Sequence, residues 1–499
     1  MSTSMASNWQ SSQTVYEIFV DRFKRGKSFD EKVKGGLYGR DGGSVREWDT
    51  FPRRESHGLD FFGGDIEGII DKLDYIKNLN ANVIYLTPIF LASTNHKYDT
   101  HDFTIDPQFG DERIFKELIE EAHKREIKII IDGVFNHVGV DGVWFNRSQK
   151  YGSGGAYNDP HSPFKEFFEF RSWPNEYRSW LDIKLLPELR LENEELRKIL
   201  FTGEDSVIKR YLRMDVDGWR LDCAHDLGHE INALIVKSSK SVKNDAYVVG
   251  EASGYPNEWF TKSRLDGVMN YYFANIVSNT LNRKLSPELL KTGLDRMVDE
   301  NGIDALSRSW NMISSHDTPR MNSIFKDVDV KKIAVAFQIA FPGNPLIYYG
   351  EENGMNGDGD PDNRRPMIWD EKRCEWDFRE FVIKALEIKK REPALNHGKY
   401  LKIDFKNGSP LIGFGRYTSD PNDTLFFFVN PSNVNIFEQI PIPFSYFMHH
   451  IQMETIFGNG NALAKVSEIN LELPSKSFAI FKFAPHFSMY KMYKSVDIG

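Results

Sequence analysis

The chain is short of cysteine: Cys223 and Cys374 are the only two in 499 residues. That is too few for a disulfide framework at this size, and the pair lacks the spacing of a zinc site, so a reducing compartment is expected. Long apolar runs are missing as well. No stretch reaches the roughly 18 apolar residues that a membrane helix needs. The start, MSTSMASNWQSSQT, has neither a basic lead nor an apolar core, so no secretion signal is expected there. Positive charge is in deficit, with 63 Lys and Arg against 72 Asp and Glu and a net charge of −9. With no basic cluster interleaved with aromatics, this disfavours nucleic acid. There are no repeats, no low-complexity tracts and no HExxH spacing. The expectation is a cytoplasmic protein without a membrane or nucleic-acid partner.

What is present fits a large globular chain: apolar residues make up 40% and charged residues 27%. Aromatics, at 13%, are plentiful and supply flat faces that can stack on sugar rings, although most such residues in any protein are core. Short β-rich runs alternate with amphipathic helices through the first three quarters, the pattern of βα units around a parallel sheet. The expected strands are Val15 to Val20, Asn82 to Thr87, Lys128 to Phe135, Gly218 to Leu221, Ala246 to Gly250, Gly267 to Asn270, Trp310 to Ile313 and Leu346 to Tyr349. Eight strands close a barrel. Between them, Asp65 to Leu79 and Asp111 to Lys124 place apolar residues three and four apart, as helices that pack on a sheet do.

The interval from Val138 to Asp217 is much longer than an ordinary crossover, and its first half is rich in Gly, Pro, Ser and aromatics. It reads as an inserted subdomain after strand 3, overhanging the barrel mouth. After a helix at about Phe378 to Arg391, the runs Leu411 to Arg416, Thr424 to Asn430, Phe437 to Ile442 and Ser477 to Phe483 are separated by turns with no helix between them. The expected architecture is therefore an α/β (β/α)8 TIM barrel with an inserted subdomain and a C-terminal antiparallel β-sandwich domain. Its parts are residues 1–137 (barrel, first part), 138–217 (insert), 218–394 (barrel, second part) and 395–499 (C-terminal β domain).

The C-terminal ends of barrel strands share one mouth, so polar residues there converge however distant in sequence. The third strand ends in Asn136-His137, the fourth in Arg220-Leu221-Asp222, the fifth in Glu251, and the seventh in His316-Asp317. Arg220 and Asp222 are two apart, hence on one face, where the guanidinium can hold the carboxylate ionised. Three carboxylates at one mouth suit glycoside hydrolysis: one attacks the anomeric carbon, one with a raised pKa protonates the leaving oxygen, and anions stabilise the oxocarbenium-like transition state. The competing reading is an interior ion-pair network that shapes the barrel.

These motifs resemble the alpha-amylase family of glycoside hydrolases. The segments that carry the resemblance are Gly63 to Phe90, NHKYDTHDFTIDPQFGD (Asn95 to Asp111), DGVFNH (Asp132 to His137), DGWRLDCAHD (Asp217 to Asp226), VVGE (Val248 to Glu251), SSHDTPR (Ser314 to Arg320), GNPLIYYGEENGM (Gly343 to Met355) and GDPDNRRPMIW (Gly359 to Trp369). The wording is most similar to the neopullulanase, cyclomaltodextrinase and maltogenic amylase group. The resemblance implies an enzyme acting on malto-oligosaccharides, cyclomaltodextrins, pullulan or starch through a covalent glycosyl-enzyme, with some transfer to sugar acceptors. Asp222 would be the nucleophile, Glu251 the general acid/base and Asp317 the third carboxylate. Arg220 would orient Asp222; Asp99, His137 and His316 would hydrogen-bond the sugar being cleaved; Tyr98 would stack beneath its ring. Asp360 and Arg364 match a pair that contacts sugar on the non-reducing side. No metal site and no cofactor is required for the chemistry. Asn136 stands where many secreted amylases have a calcium ligand, so a structural calcium is compatible with the resemblance, although the insert offers no clear partner ligands. The acidic loop Asp358 to Asp362 is read as turn chemistry, because its sixth and twelfth positions do not fit an EF-hand.

The chain departs from the group in three ways. The first strand begins near residue 15, which leaves no room for the group's preceding β-sandwich, so oligomeric state is undetermined. The insert ends in Leu186-Pro187-Glu188-Leu189-Arg190 where Met-Pro-Lys-Leu-Asn is usual, and Cys-Ala-His-Asp follows the nucleophile in place of Val-Ala-Asn-Glu. Cys223 is expected to point away from Asp222 as a packing residue. The alternative function is a catalytically silent sugar-binding or scaffold barrel, in which the carboxylates would be lost.

Overall fold

The computed structural model describes residues 9–443 and 451–483. Eight parallel strands close into a barrel in sequential order: β1 (Val15–Ile18), β2 (Val83–Leu86), β3 (Lys128–Gly133), β4 (Gly218–Leu221), β5 (Tyr247–Ala252), β6 (Gly267–Asn270), β7 (Trp310–Asn311) and β8 (Asn344–Tyr348). Side-chain alternation divides each strand into two sets. Val15, Val83, Tyr85, Ile130, Tyr247, Val249, Met269, Trp310 and Leu346 form a core of their own inside the barrel, while Tyr16, Ile18, Ile84, Leu86, Ile129 and Ile131 join the larger core shared with the helices. The inward columns then change chemistry at their upper ends. Glu17 follows Val15 by two, Asp132 follows Ile130 by two, Arg220 follows Gly218 by two and Glu251 follows Val249 by two. Strand alternation alone therefore aims these four polar side chains at one mouth.

The expected strands are all present; β4 and β6 have the expected ends and the other six are shifted by a few residues. β1 stops at Ile18 because Val20–Phe23 turns helical, which lets Asp21 accept the backbone N–H groups of Phe62 and Gly63. The helix expected over Asp65 to Leu79 is two, Ile66–Asp71 and Leu73–Asn78, broken at Lys72 (ψ 9°), and nothing in the sequence marks the break. Asp65 and Asp111 cap the helices that follow them, accepting from Gly68 and Ile114 at 2.8 Å each.

Between β3 and β4 the chain leaves the barrel. A hairpin (Phe170–Ser172 with Glu176–Tyr177) packs on Phe145, whose ring lies 4.7 Å from Tyr177 and 4.9 Å from Phe168. His137 bridges to Glu188, tying the end of this excursion to the mouth of β3. A second hairpin after β2, Phe90–Ala92 with Thr100–Ile105, carries residues 95–99 to the same mouth.

Beyond the helix Trp376–Arg391 lie two antiparallel sheets: Lys399–Lys402, Ile412–Tyr417, Leu425–Asn430, Ser477–Lys482 and Glu454–Gly458 in the first, and Ile436–Pro441, Glu468–Leu473, Asn461–Lys465 and Ile451–Gln452 in the second. All four expected runs are strands. Among the described residues there are five further ones, mostly short or half-polar, that the sequence does not make legible. One face of the first sheet joins the barrel's outer core through Phe337 against Phe427 (5.0 Å) and Phe341 against Phe414 (6.0 Å). The other face, with Phe426, Phe428 and Phe481, meets the second sheet. Among the described residues Arg416, buried at this seam, has no carboxylate partner and donates instead to the carbonyls of Ala340 (3.0 Å) and Gly398 (2.9 Å). Ala340 ends the helix Val328–Ala340, where the helix dipole favours a cation.

Candidate functional site

Arg220 is the hub of the mouth. Its Nη1 donates to both oxygens of Asp132 and to Asp222 Oδ1, each at 2.9 Å, and its Nη2 lies 3.0 Å from Glu251 Oε2. One fully buried guanidinium thus spans carboxylates from three adjacent strands. Asp132 also accepts from the hydroxyls of Tyr85 (2.6 Å) and Tyr98 (3.0 Å). The Cys223 N–H donates to Glu251 Oε2 at 2.8 Å, and the Tyr271 hydroxyl sits 3.5 Å from Glu251 Oε1. Carboxylate oxygens of Asp222 and Glu251 come within 4.8 Å of each other, and the Cys223 sulfur lies within the same distance of both.

On the opposite side of the mouth, His316 is fully buried between Glu17, 2.5 Å from Nδ1, and both Asp317 (3.1 Å) and the Tyr98 hydroxyl (2.5 Å) at Nε2. Burial opposes its charge, but Asp317 and Glu17 push its pKa up. Asp317 keeps 35% of its side chain open to the cleft. Partial desolvation there is outweighed by His316, Arg364 and Arg220, which together hold Asp317 below the usual carboxylate range. Asp222 goes the other way: burial first, then Glu251, Asp132 and Asp317, push it well up, with Arg220 in opposition. The pairing with Arg220 read from the sequence is present, but it does not dominate the ionisation of Asp222. The carboxylates Glu17, Asp132, Asp222, Glu251 and Asp317 outnumber the cations Arg220, His316 and Arg364, so the mouth favours positive charge developing in a bound molecule.

The remaining expected residues fall around this cluster in different ways. Tyr98 stacks on His316 (5.6 Å, 10° between planes). His137 stacks on Trp180 (5.2 Å, 26°), and burial pushes its pKa down to about 4, so the ring is neutral. Arg364 links Asp317 and Asp360, with 3.1 Å to each. Asp99 accepts from the backbone of Ser93 (3.1 Å) and from Thr94, so its hydrogen bonds hold the turn that carries Tyr98 and do not reach the Arg220 cluster.

Cys223 requires a correction. β4 ends at Leu221, and Cys223 adopts a left-handed conformation (φ 45°), so strand alternation no longer applies and its thiol turns toward Asp222 and Glu251. Sequence reasoning also missed Glu17, Asp132, Trp180 and Tyr271. Parity along β1 and β3 was the available signal for the first two. Asn136 turns its amide nitrogen toward His137 Nδ1 (3.4 Å), and among the described residues the only group of three His, Cys, Asp or Glu ligands is Asp222, Cys223 and Glu251.

A closed (β/α)8 barrel whose mouth gathers paired carboxylates around a buried arginine belongs with the barrel enzymes that act on glycosidic bonds. The comparisons with known proteins specify which. Residues 17–394 match the family described as alpha amylase, catalytic domain. The chain is 37% identical over 410 residues to a cyclomaltodextrinase of Thermoanaerobacter pseudethanolicus, covering 80% of this chain and 67% of that enzyme. It is 34% identical over 424 residues to neopullulanase 2 of Thermoactinomyces vulgaris, covering 83% and 68%. Among solved structures, the cyclic alpha-maltosyl-(1→6)-maltose hydrolase of Arthrobacter globiformis superposes with a TM-score of 0.79 at 25% identity, covering 95% of this chain and 98% of that one. The chain belongs to the alpha-amylase family of glycoside hydrolases. Among the described residues, no helix is long and apolar enough to cross a membrane.

Proposed function

We propose that the protein is a retaining hydrolase of alpha-glucosidic bonds in short malto-oligosaccharides, cyclomaltodextrins or pullulan. The observation that carries this reading is the approach of the Asp222 and Glu251 oxygens within 4.8 Å of each other on adjacent strand ends. Carboxyl groups about 5 to 5.5 Å apart suit double displacement, whereas inversion needs about 6.5 to 9.5 Å to admit a water. An Asp222 oxygen attacks the anomeric carbon, the bond to the departing sugar breaks, and Glu251 gives its proton to the glycosidic oxygen. Water then attacks the glycosyl-enzyme ester while Glu251 takes back a proton, and Asp222 leaves as carboxylate. A sugar hydroxyl in place of water gives transglycosylation. Asp317, held ionised, binds and distorts the ring being cleaved, with His316, His137 and Tyr98 around it. A silent sugar-binding barrel is disfavoured because Asp222, Glu251 and Asp317 are all present and gathered. The relatives' names motivate the substrate class, and the name of one 32%-identical Bacillus subtilis relative, an intracellular maltogenic amylase, favours a cytoplasmic location.

Side-by-side incubation with maltotriose, cyclomaltodextrins, pullulan and starch, followed by proton NMR of the first products, tests the reading. New reducing ends in the α configuration are expected; a β anomer, or no cleavage of any of the four, would overturn it. The pH profile adds a second check. The nucleophile must be ionised to attack, and burial plus neighbouring carboxylates raise Asp222. The acid limb of kcat/KM, which reports the free enzyme, is therefore expected above the ordinary aspartate value of about 3.9. A limb at or below that value would show Arg220 to be the stronger influence.

A further inference from the structure

The rim of the mouth is not open all round. Residues 44–58 form an arm that lies against the loop 360–373 and is joined to it along its length. The Trp48 indole N–H donates to the Met367 carbonyl (2.9 Å), Asp49 pairs with Arg373 (2.6 Å), Phe51 lies against the Arg365 guanidinium (4.4 Å), and Arg54 Nη2 donates to the Asp360 carbonyl (3.1 Å). The arm is also pinned from beneath. Arg53 grips buried Asp60 through two bonds of 3.0 and 2.7 Å, and Asn95 donates its backbone N–H to Gly58 O (2.8 Å) and its amide to Asp60 O (2.9 Å). Gly58 has φ 83°, and a Cβ there would sit 3.1 Å from the Thr94 Cβ, so arm and hairpin are in close contact. The arm is a fixed wall.

Behind this wall is a cavity of about 350 Å³ lined by Arg54, His57, His96, Asp360 and Arg364 among others. Its place relative to the chemistry follows from Glu251. The sugar that leaves must lie on the side of the group that protonates it, beside Cys223 and Tyr271, and none of these lines the cavity. The cavity adjoins Asp317 through Arg364 and Tyr98 through His96 (5.8 Å), so it receives the part of the substrate that stays on the enzyme. Its volume is at the low end of the roughly 300–1,000 Å³ over which small-molecule pockets run, enough for about one or two pyranose rings beyond the one over Tyr98.

We infer that the arm 44–58, with Arg54 at the cavity and Phe51 holding the arm against Arg365, is a chain-length stop on the non-reducing side of the cleft; the inference rests on the hydrolase reading above. The enzyme then cuts near non-reducing ends and releases pieces of about two or three glucosyl units, and a longer glycone is excluded by the wall.

The test uses maltoheptaose labelled at its reducing end, with products sized in the first few per cent of reaction. From the unaltered protein, unlabelled pieces of two and three units are expected to dominate. In Arg54→Ala and in Arg54→Ala/Phe51→Ala, the share of unlabelled pieces of four or more units is expected to rise at least fivefold. Early release of four or more units by the unaltered protein, or an unchanged product profile in the double variant, would overturn the stop. No turnover of any linear alpha-glucan would instead overturn the hydrolase reading itself, so the two failures are distinguishable.

Discussion

Asp222→Asn is expected to lower turnover of every alpha-glucan substrate by at least about 10⁴-fold, the scale seen when an enzyme loses its nucleophile. The amide has the shape of the carboxylate but cannot form the ester. The same change should leave thermal stability equal or slightly raised. Asp222 is buried beside Glu251 and Asp132, and its raised pKa means that its charge is unfavourable where it sits. Arg220 keeps Asp132 and Glu251 as partners after the substitution. Initial rates and a melting curve check both halves. More than a few per cent of residual activity would remove Asp222 as nucleophile, and a collapse in Tm would assign it a structural role.

Glu251→Gln should produce the second large effect, and an uneven one. Natural glucans depart as poor leaving groups, so the loss of proton donation should cost about 10²- to 10⁴-fold. A glycosyl fluoride or nitrophenyl maltoside leaves without that proton, and its first step should be spared. The ester would then accumulate, because no base activates water, and added azide should restore turnover by attacking it without base assistance. A burst followed by azide rescue is the expected signature. Equal loss on both kinds of substrate, without rescue, would assign the proton transfer to another group.

Much of this site is legible in the sequence, and the reasons are specific. Arg220 and Asp222 share a face by their spacing, and Glu251, His316 and Asp317 stand where strand patterns end, so the mouth could be assembled on paper. Glu17 and Asp132 escaped notice although they occupy the inward parity of their strands. A lone acid in an apolar strand gains meaning only from its partner, here His316 for Glu17 and Arg220 for Asp132, residues whose proximity depends on barrel closure. Cys223 turns the other way because strand alternation does not extend to a residue two past the strand end, in a backbone turn that no local residue signals. Asp99 follows from the resemblance alone; its hydrogen bonds to Ser93 and Thr94 join residues too close in sequence for any period to mark. Trp180 lies in the insert, where irregular backbone gives no period from which direction can be read. The barrel strands themselves were clear because they are buried on both faces and rich in Val and Ile; the missed C-terminal strands are short or alternate polar with apolar residues.

The salt link between Glu17 and His316 joins the first stave of the cylinder to the seventh, 299 residues later. On a ribosome the earlier carboxylates are made long before their companions, and such distant contacts form late and slowly. A nascent or partly unfolded chain therefore holds no assembled mouth. Hydrolytic power arrives only when the last stave returns to the first.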